Sequence, residues 1–230
     1  MYVIGKLEER LVEYTVINNI AILAFDDGKA NAVGPQFLDN INAGLDRAQA
    51  EQVGAVILRG REGIFSGGFD LEEFKKGVEL GMTMVGRGFD LLVRLYSFPL
   101  PLVAACTGHG VAMGAFIIMA CDSRIASRGN FKISLPETAI GMELTPLLVA
   151  LTTARISRQH MTRVALQSEV HNPEQAVSAG FIYEVVEADL LDARAMEVAL
   201  KLANLPQAQS RDYLLLNRHN TVNATTDTLA

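Results

Sequence analysis

Two unbroken apolar runs, VGAVILRG at 53–60 and PLVAAC at 101–106, constrain the fold of this chain more than any other feature. Neither alternates polar with apolar residues, so each predicts a strand covered on both faces, as in a parallel sheet flanked by helices. Each leads through a glycine turn into a helix. After the first comes IFSGGFDL (64–71), with a helix beginning at Asp70. After the second comes TGHGVAMGAF (107–116), with glycines at 108, 110 and 114 and the helical run AFIIMAC behind them. Where a strand turns into a helix, the first backbone N–H groups of the helix have no partner within it. Such groups receive an anion or a charge that develops during a reaction.

The rest of the chain extends this pattern. LVEYTVI (11–17) and IAILAF (20–25) read as a hairpin joined at Asn18-Asn19. PQFLDNINAGLDRAQA (35–50) opens with proline and places Leu38, Ile41, Leu45 and Ala48 on one helical face. Residues 78–98 read as helical, but Gly81, Gly86 and Gly88 predict a loose or broken segment. SRIAS reads as a strand and FKISLPETAIGM as a loop. LLVALTTARI, RQHMTRVALQ and PEQAVSAG read as helices, FIYEVV as a strand, and DLLDARAMEVALKLANL as a closing amphipathic helix. Strands alternate with helices over the first two-thirds and helices dominate afterwards, which predicts an α/β core with a helical C-terminal region. Strand–loop–helix units recur loosely near 53–76 and 101–121, without a strict repeat.

Composition excludes several classes. A chain of 230 residues, half of them hydrophobic, has the length and core of one domain. Its net charge of −6 gives no reason to expect nucleic acid or an anionic membrane as partner. The longest apolar runs are too short to span a bilayer. The beginning, MYVIGKLEERLVEYTV, carries early charges and lacks the apolar core of a signal peptide, so the expected location is cytoplasmic. Cys106 and Cys121 stand in apolar surroundings without CxxC or Cys/His spacing; they read as buried thiols, and no metal site is expected.

The glycine turns have two readings. TGHGVAMG spells G-x-G-x-x-x-G, one residue off the dinucleotide fingerprint, but the next strand ends in Ser127-Arg128 rather than in an acidic residue for a ribose. For any single glycine, close packing of helix on strand is the commoner explanation. Two strand-to-helix turns of the same kind carry more, because two N–H donors converging on one oxygen form an oxyanion hole.

The residues of these turns also resemble a known family. F-S-G-G-F-D-L resembles the F-[S/A]-[A/G]-G-x-D-[L/I] signature of the crotonase (enoyl-CoA hydratase/isomerase) superfamily, and AACTGHGVAMGAFIIMACDSRIAS resembles its second glycine-rich block. LPETAIGM is similar to the following P-E-x-x-[L/I]-G block, and AGFIYEVV to a later G-[L/F]-[V/I]-x-x-V-V strand. The blocks keep family order from about residue 10 to 205. The resemblance implies a spiral of ββα units with a helical C-terminal region. Residues 1–205 would form the crotonase-like catalytic domain, with a helical trimerisation region from about 145, and residues 206–230 a polar C-terminal tail. It implies an acyl-CoA thioester as substrate, no separate cofactor (coenzyme A enters as part of the thioester), and a homotrimer or dimer of trimers.

Carried over residue by residue, the family's two oxyanion donors fall on Gly67 and Met113, with Met113 at the positive end of the following helix. Family hydratases activate water with two glutamates. At the first position this chain has Phe116, assigned to the acyl pocket, and at the second it has Glu137. One carboxylate suffices to move a proton between two carbons of an acyl chain, so double-bond isomerisation is favoured over hydration. Glu143, six residues beyond Glu137, stands as a possible second carboxylate for a hydratase or as a surface charge at a helix start. A non-catalytic homologue that binds CoA thioesters is the alternative from another class. Coenzyme A is expected along Lys29, Ala30 and Ala32 and along Asp70 and Leu71. His109 and Ser66 stay outside the catalytic set, and Arg94 and Tyr96 of the helix read as a lid are further candidates for reaching substrate.

Overall fold

The computed structural model describes residues 11–205. Its opening hairpin pairs β1 (Val12–Ile17) with β2 (Ile20–Phe25), Ile17 facing Ile20. Asn18 and Asn19 between them both take left-handed backbone, with φ of 52° and 65°. That is the two-residue turn whose twist suits a hairpin, and asparagine tolerates it. Helix α1 (Pro35–Ala50) follows, with proline in its first turn, and buries Leu38, Ile41, Leu45 and Ala48 as the spacing predicts.

Three units of one design come next. In the first, β3 (Ala55–Arg59) and β4 (Gly63–Ser66) precede α2 (Leu71–Lys76) and α3 (Val78–Tyr96). In the second, β5 (Leu102–Cys106) and β6 (Gly108–Val111) precede α4 (Met113–Ala120). In the third, β7 (Ser123–Ser127) and β8 (Ile133–Ser134) precede a short 3-10 turn, Thr138–Ile140. Helices α5 (Pro146–Arg155) and α6 (Pro173–Ala179), strand β9 (Glu184–Val186) and helix α7 (Leu191–Ala203) complete the described chain. The first strand of every unit joins a six-stranded sheet ordered β1-β2-β3-β5-β7-β9, and the second joins a three-stranded sheet ordered β4-β6-β8. This is the crotonase-like spiral of ββα units.

The unbroken apolar runs have a direct cause. Val56, Leu58, Leu102 and Ala104 face the main core, while Ala55, Ile57, Val103 and Ala105 face Leu191, Ala195 and Ala199 of α7 on the other side. Both faces of the sheet are dry there, so the buried length of each strand is apolar, and the one charge, Arg59, stands at the end of β3, where it pairs with Asp192 of α7. Each Leu, Ile or Val buried in this way contributes about 1.5–3 kcal/mol. Part of the C-terminal helical region thus belongs to the domain's own core. The tail at 206–230 lies outside the described residues.

Three expectations are corrected. Residues 78–96 form one unbroken helix, α3. Gly81 and Gly88 bring it close to its neighbours, since a Cβ there would lie 2.3 Å from the Phe74 ring and 2.4 Å from the Phe69 ring. The segments around 64 and 108, read as turns, begin as strands β4 and β6, whose short parallel pairing is too small to give a periodic signal. RQHMTRVALQ forms a 3-10 turn (Arg158–His160) and a π turn (Thr162–Leu166) rather than an α-helix. No described helix is long and apolar enough to cross a membrane.

Candidate active site

Strands β4 and β6 run side by side, Gly63 opposite Gly108 and Ser66 opposite Gly110, and both end in the turns singled out above. The two turns press on each other. A Cβ on Gly114, the second residue of α4, would lie 2.3 Å from the Ser66 carbonyl oxygen. A Cβ on Gly68 would lie 3.0 Å from Ala112 Cβ and 3.5 Å from the Met113 nitrogen. Gly68 also has φ of 100°, a backbone conformation that favours glycine. Ala112, at φ 51° and ψ −125°, holds a strained conformation immediately before α4.

The first expected donor is corrected. The N–H of Gly67 donates to the Ala30 carbonyl at 2.8 Å and is not free for an oxyanion. Two residues on, the geometry differs. Phe69 forms a parallel bridge with Val33, in which Val33 N–H donates to the Gly68 carbonyl and Asp70 N–H to the Val33 carbonyl. In such a bridge the N–H of Phe69 points away from Val33, and it meets no acceptor among the described residues. Met113, the first residue of α4, likewise has no acceptor within its helix, and no side chain caps that end. The adjacent turns therefore offer the backbone donors of Phe69 and Met113, with the helix dipole of α4 behind the second. The sequence contains the signal for Phe69 only in the requirement of Gly68 for left-handed backbone, which turns the next peptide outward.

Glu137 is 6% exposed and is the only Asp or Glu in the buried class among the described residues. Burial raises its pKa, opposed in part by a hydrogen bond from its own backbone. Its Oε2 is buried without a hydrogen-bond partner among the described residues. A buried carboxyl with an unpartnered oxygen and a raised pKa suits proton transfer. Phe116 is fully buried in α4, within the main core, and carries no proton. Glu143 is exposed, in the stretch before α5, with no ion pair or hydrogen bond among the described residues. That geometry fits the surface charge and does not supply the second buried carboxylate of a hydratase.

The expected coenzyme A segments lie together. Gly67 donates to Ala30, and Val33 pairs with Phe69, so the loop at 26–32 rests against the turn at 66–70. Asp27, Asn31 and Arg61, which the sequence reading did not single out, hold that loop. Asp27 accepts the N–H groups of Lys29 at 2.7 Å, Asn31 at 2.8 Å and Ala32 at 3.0 Å. Burial pushes its pKa up, but these donors and Arg61 outweigh burial and hold it below the usual carboxylate range. The Asn31 amide donates to the carbonyls of Phe25 at 3.0 Å and Phe65 at 3.2 Å. Arg61 Nε donates to the Lys29 carbonyl at 2.9 Å. The Lys29 side chain is left exposed. Asp70 caps α2 by accepting from Glu72 N–H at 2.9 Å, and Leu71 beside it is 70% exposed. The legible hint for the loop is the Asp-x-x-x-Asn spacing, typical of side chains that fold their own backbone.

Other candidates are placed elsewhere. Arg94 is bound to Asn42 at 2.7 Å and Asp46 at 2.5 Å, and Tyr96 is buried beneath the Arg155 guanidinium. His109 Nδ1 accepts the Lys132 N–H at 2.9 Å, a structural bond. Ser66 donates to the Asn31 carbonyl at 2.8 Å. Cys106 is fully buried, with its thiol pushed up to about 12. No group of three or more His, Cys, Asp or Glu able to hold a metal occurs among the described residues.

A spiral of ββα units with two adjacent turns that offer open backbone donors, and with one buried glutamate, is an α/β fold with a candidate oxyanion site. The chain belongs to the enoyl-CoA hydratase/isomerase family, whose pattern it matches over residues 15–228. It is 34% identical over 126 residues to a Bacillus subtilis protein described as a probable enoyl-CoA hydratase, covering 54% of this chain and about half, 48%, of that protein. It is 27% identical over 200 residues to mitochondrial enoyl-CoA delta isomerase 1 of Rattus norvegicus, covering 85% of this chain and 69% of that one. A solved Mycobacterium tuberculosis structure superposes with a TM-score of 0.89 at 35% identity, each chain covered to 95%. That structure is called an enoyl-CoA isomerase, while a second structure of the same protein is called a probable enoyl-CoA hydratase. Relatives of both reactions therefore share this fold.

Proposed function

We propose that this enzyme isomerises the double bond of an enoyl-CoA, with residues 1–205 as the catalytic domain and 206–230 as a tail. The observation that carries the reading is Glu137, the one carboxylate buried among the described residues, with Phe116 in place of the other hydratase glutamate. The N–H groups of Phe69 and Met113 receive the thioester oxygen as the enolate forms, which stabilises charge that appears only in the transition state. Glu137 takes a proton from C2 of a 3-enoyl thioester and returns it to C4, so the double bond moves into conjugation. Atoms and charge balance within the substrate, so the step consumes neither water nor a further cofactor. Coenzyme A lies along Lys29, Ala30 and Ala32 and beside Asp70 and Leu71; Lys29 supplies local positive charge to its phosphates. A homotrimer or dimer of trimers, as the family resemblance implies, would cover exposed apolar side chains such as Ile140, Leu166 and Val170, and sedimentation measures the stoichiometry directly.

The test follows conjugated thioester absorbance with purified protein. With 3-hexenoyl-CoA the absorbance rises, and Glu137→Gln abolishes the rise while CoA affinity is kept. A fall with 2-hexenoyl-CoA, together with no rise from the 3-enoyl substrate, means hydration and refutes the isomerase reading. Thioester binding without turnover on either substrate favours the binding homologue.

A further inference from the structure

Glu137 stands at the head of the 3-10 turn Thr138–Ile140, and within that loop the bonds run from Ile140 and Met142 back to the Glu137 carbonyl. Those bonds shape the loop but do not anchor it. Two others do, and both reach the segment around the π turn at 162–166. The Thr138 hydroxyl donates to the Ala165 carbonyl at 2.7 Å, and the Ala139 N–H donates to the Ser168 hydroxyl at 3.2 Å. The anchoring segment is itself fixed. The N–H groups of Gln167 and Glu169 reach back to the carbonyls of Thr162 and Arg163, and His171 exchanges both backbone bonds with Ile133 of β8.

Ser168 adopts φ of 50°, the left-handed backbone in which glycine would rest without strain. A serine there costs stability relative to glycine, and what it adds is the hydroxyl that receives the Ala139 N–H. From this geometry we infer that Thr138 and Ser168 are positioning residues that hold Glu137 in its buried, half-unpaired state, ready for the acyl chain. The inference deepens the reading of Glu137 as the proton carrier and rests on it. Without the two bonds the turn shifts, and its first residue swings toward water. A displacement near 1 Å at a reacting group costs as much as about a hundredfold in rate.

The variants are Thr138→Val, Thr138→Ser, Ser168→Gly and Glu137→Gln, measured for kcat, KM, pH profile and Tm on 3-hexenoyl-CoA. Thr138→Val and Ser168→Gly are expected to lower kcat by on the order of tenfold to a hundredfold with KM unchanged. The acid limb of their kcat/KM profile moves to lower pH, because a hydrated carboxyl ionises more readily. Thr138→Ser restores the hydroxyl and with it the rate. Ser168→Gly removes backbone strain, so its Tm is expected to hold or rise, and a purely structural role for Ser168 predicts no loss of turnover. Wild-type kcat and pH profile in both Thr138→Val and Ser168→Gly, with Glu137→Gln inactive, would overturn the inference and leave Glu137 standing. Full turnover in Glu137→Gln removes the basis of both.

Discussion

Gly114→Ala tests whether the contact between the two turns sets the oxyanion geometry. Its new Cβ would lie 2.3 Å from the Ser66 oxygen, 2.8 Å from Ser66 Cβ and 2.9 Å from Ser66 carbonyl carbon. Ordinary contact begins near 3.4 Å, so the start of α4 must move from the end of β4 by about 1 Å. The obstacle is mainly backbone and cannot rotate away. Overpacking of this kind costs about 1–3 kcal/mol. For a domain of this size that corresponds to a fall in Tm of roughly 2–4 °C per kcal/mol. The catalytic cost is larger, because Met113 is the residue before Gly114 and its N–H moves with the helix start. Losing one oxyanion donor lowers kcat by roughly 10²–10³-fold. The assay is kcat on 3-hexenoyl-CoA beside a thermal melt, with Gly86→Ala as control. Gly86 sits in the same fold with nothing within 4 Å of an added Cβ, so alanine there stabilises α3 by about 0.5–1 kcal/mol and leaves turnover intact. A folded Gly114→Ala protein with wild-type kcat would refute the convergence of the two turns as the source of the oxyanion site.

Two further predictions concern stability. Burial raises the pKa of Glu137 in the folded protein, so its contribution is fully present below the ordinary glutamate range and is lost as pH rises through the folded value. Glu137→Gln should therefore match wild type in Tm at low pH and exceed it by a margin that grows as pH rises from the ordinary glutamate range to the folded value and stays constant beyond; a difference that does not vary with pH contradicts the buried carboxyl. Asn31→Ala leaves the carbonyls of Phe25 and Phe65 without their donor and the Asp27 N–H without its acceptor. It should cost about 1–3 kcal/mol and raise KM for the acyl-CoA, whereas an unchanged melt and KM would show that other bonds hold the 26–32 loop.

How far the sequence was legible depended on the range of the force involved. The hairpin at Asn18-Asn19 and helix α1 are local, set by turn chemistry and by apolar spacing within one element, and both appear where the sequence places them. The strands at 55–59 and 102–106 were legible because burial on both faces leaves only apolar residues between their ends. The helix α3 was misread, since Gly81 and Gly88 look like breaks until the rings of Phe74 and Phe69 stand against them. Strands β4 and β6 were misread as turns because four residues of parallel pairing leave no period.

The site divides in the same way. The amino-acid sequence by itself determined the family, the glycine blocks and Glu137 with Phe116 at the two glutamate positions, because those signals are residue identities at fixed spacing. Tertiary structure decided which backbone donors stay open. Gly67 and Phe69 lie two residues apart in one turn, yet Ala30 takes the N–H of the first, and Val33 turns that of the second outward. It also decided that Glu137 is buried while Glu143 remains in water. Hydrogen-bond partners and desolvation come from segments 30–40 residues away or more, and no local pattern records which of them will arrive.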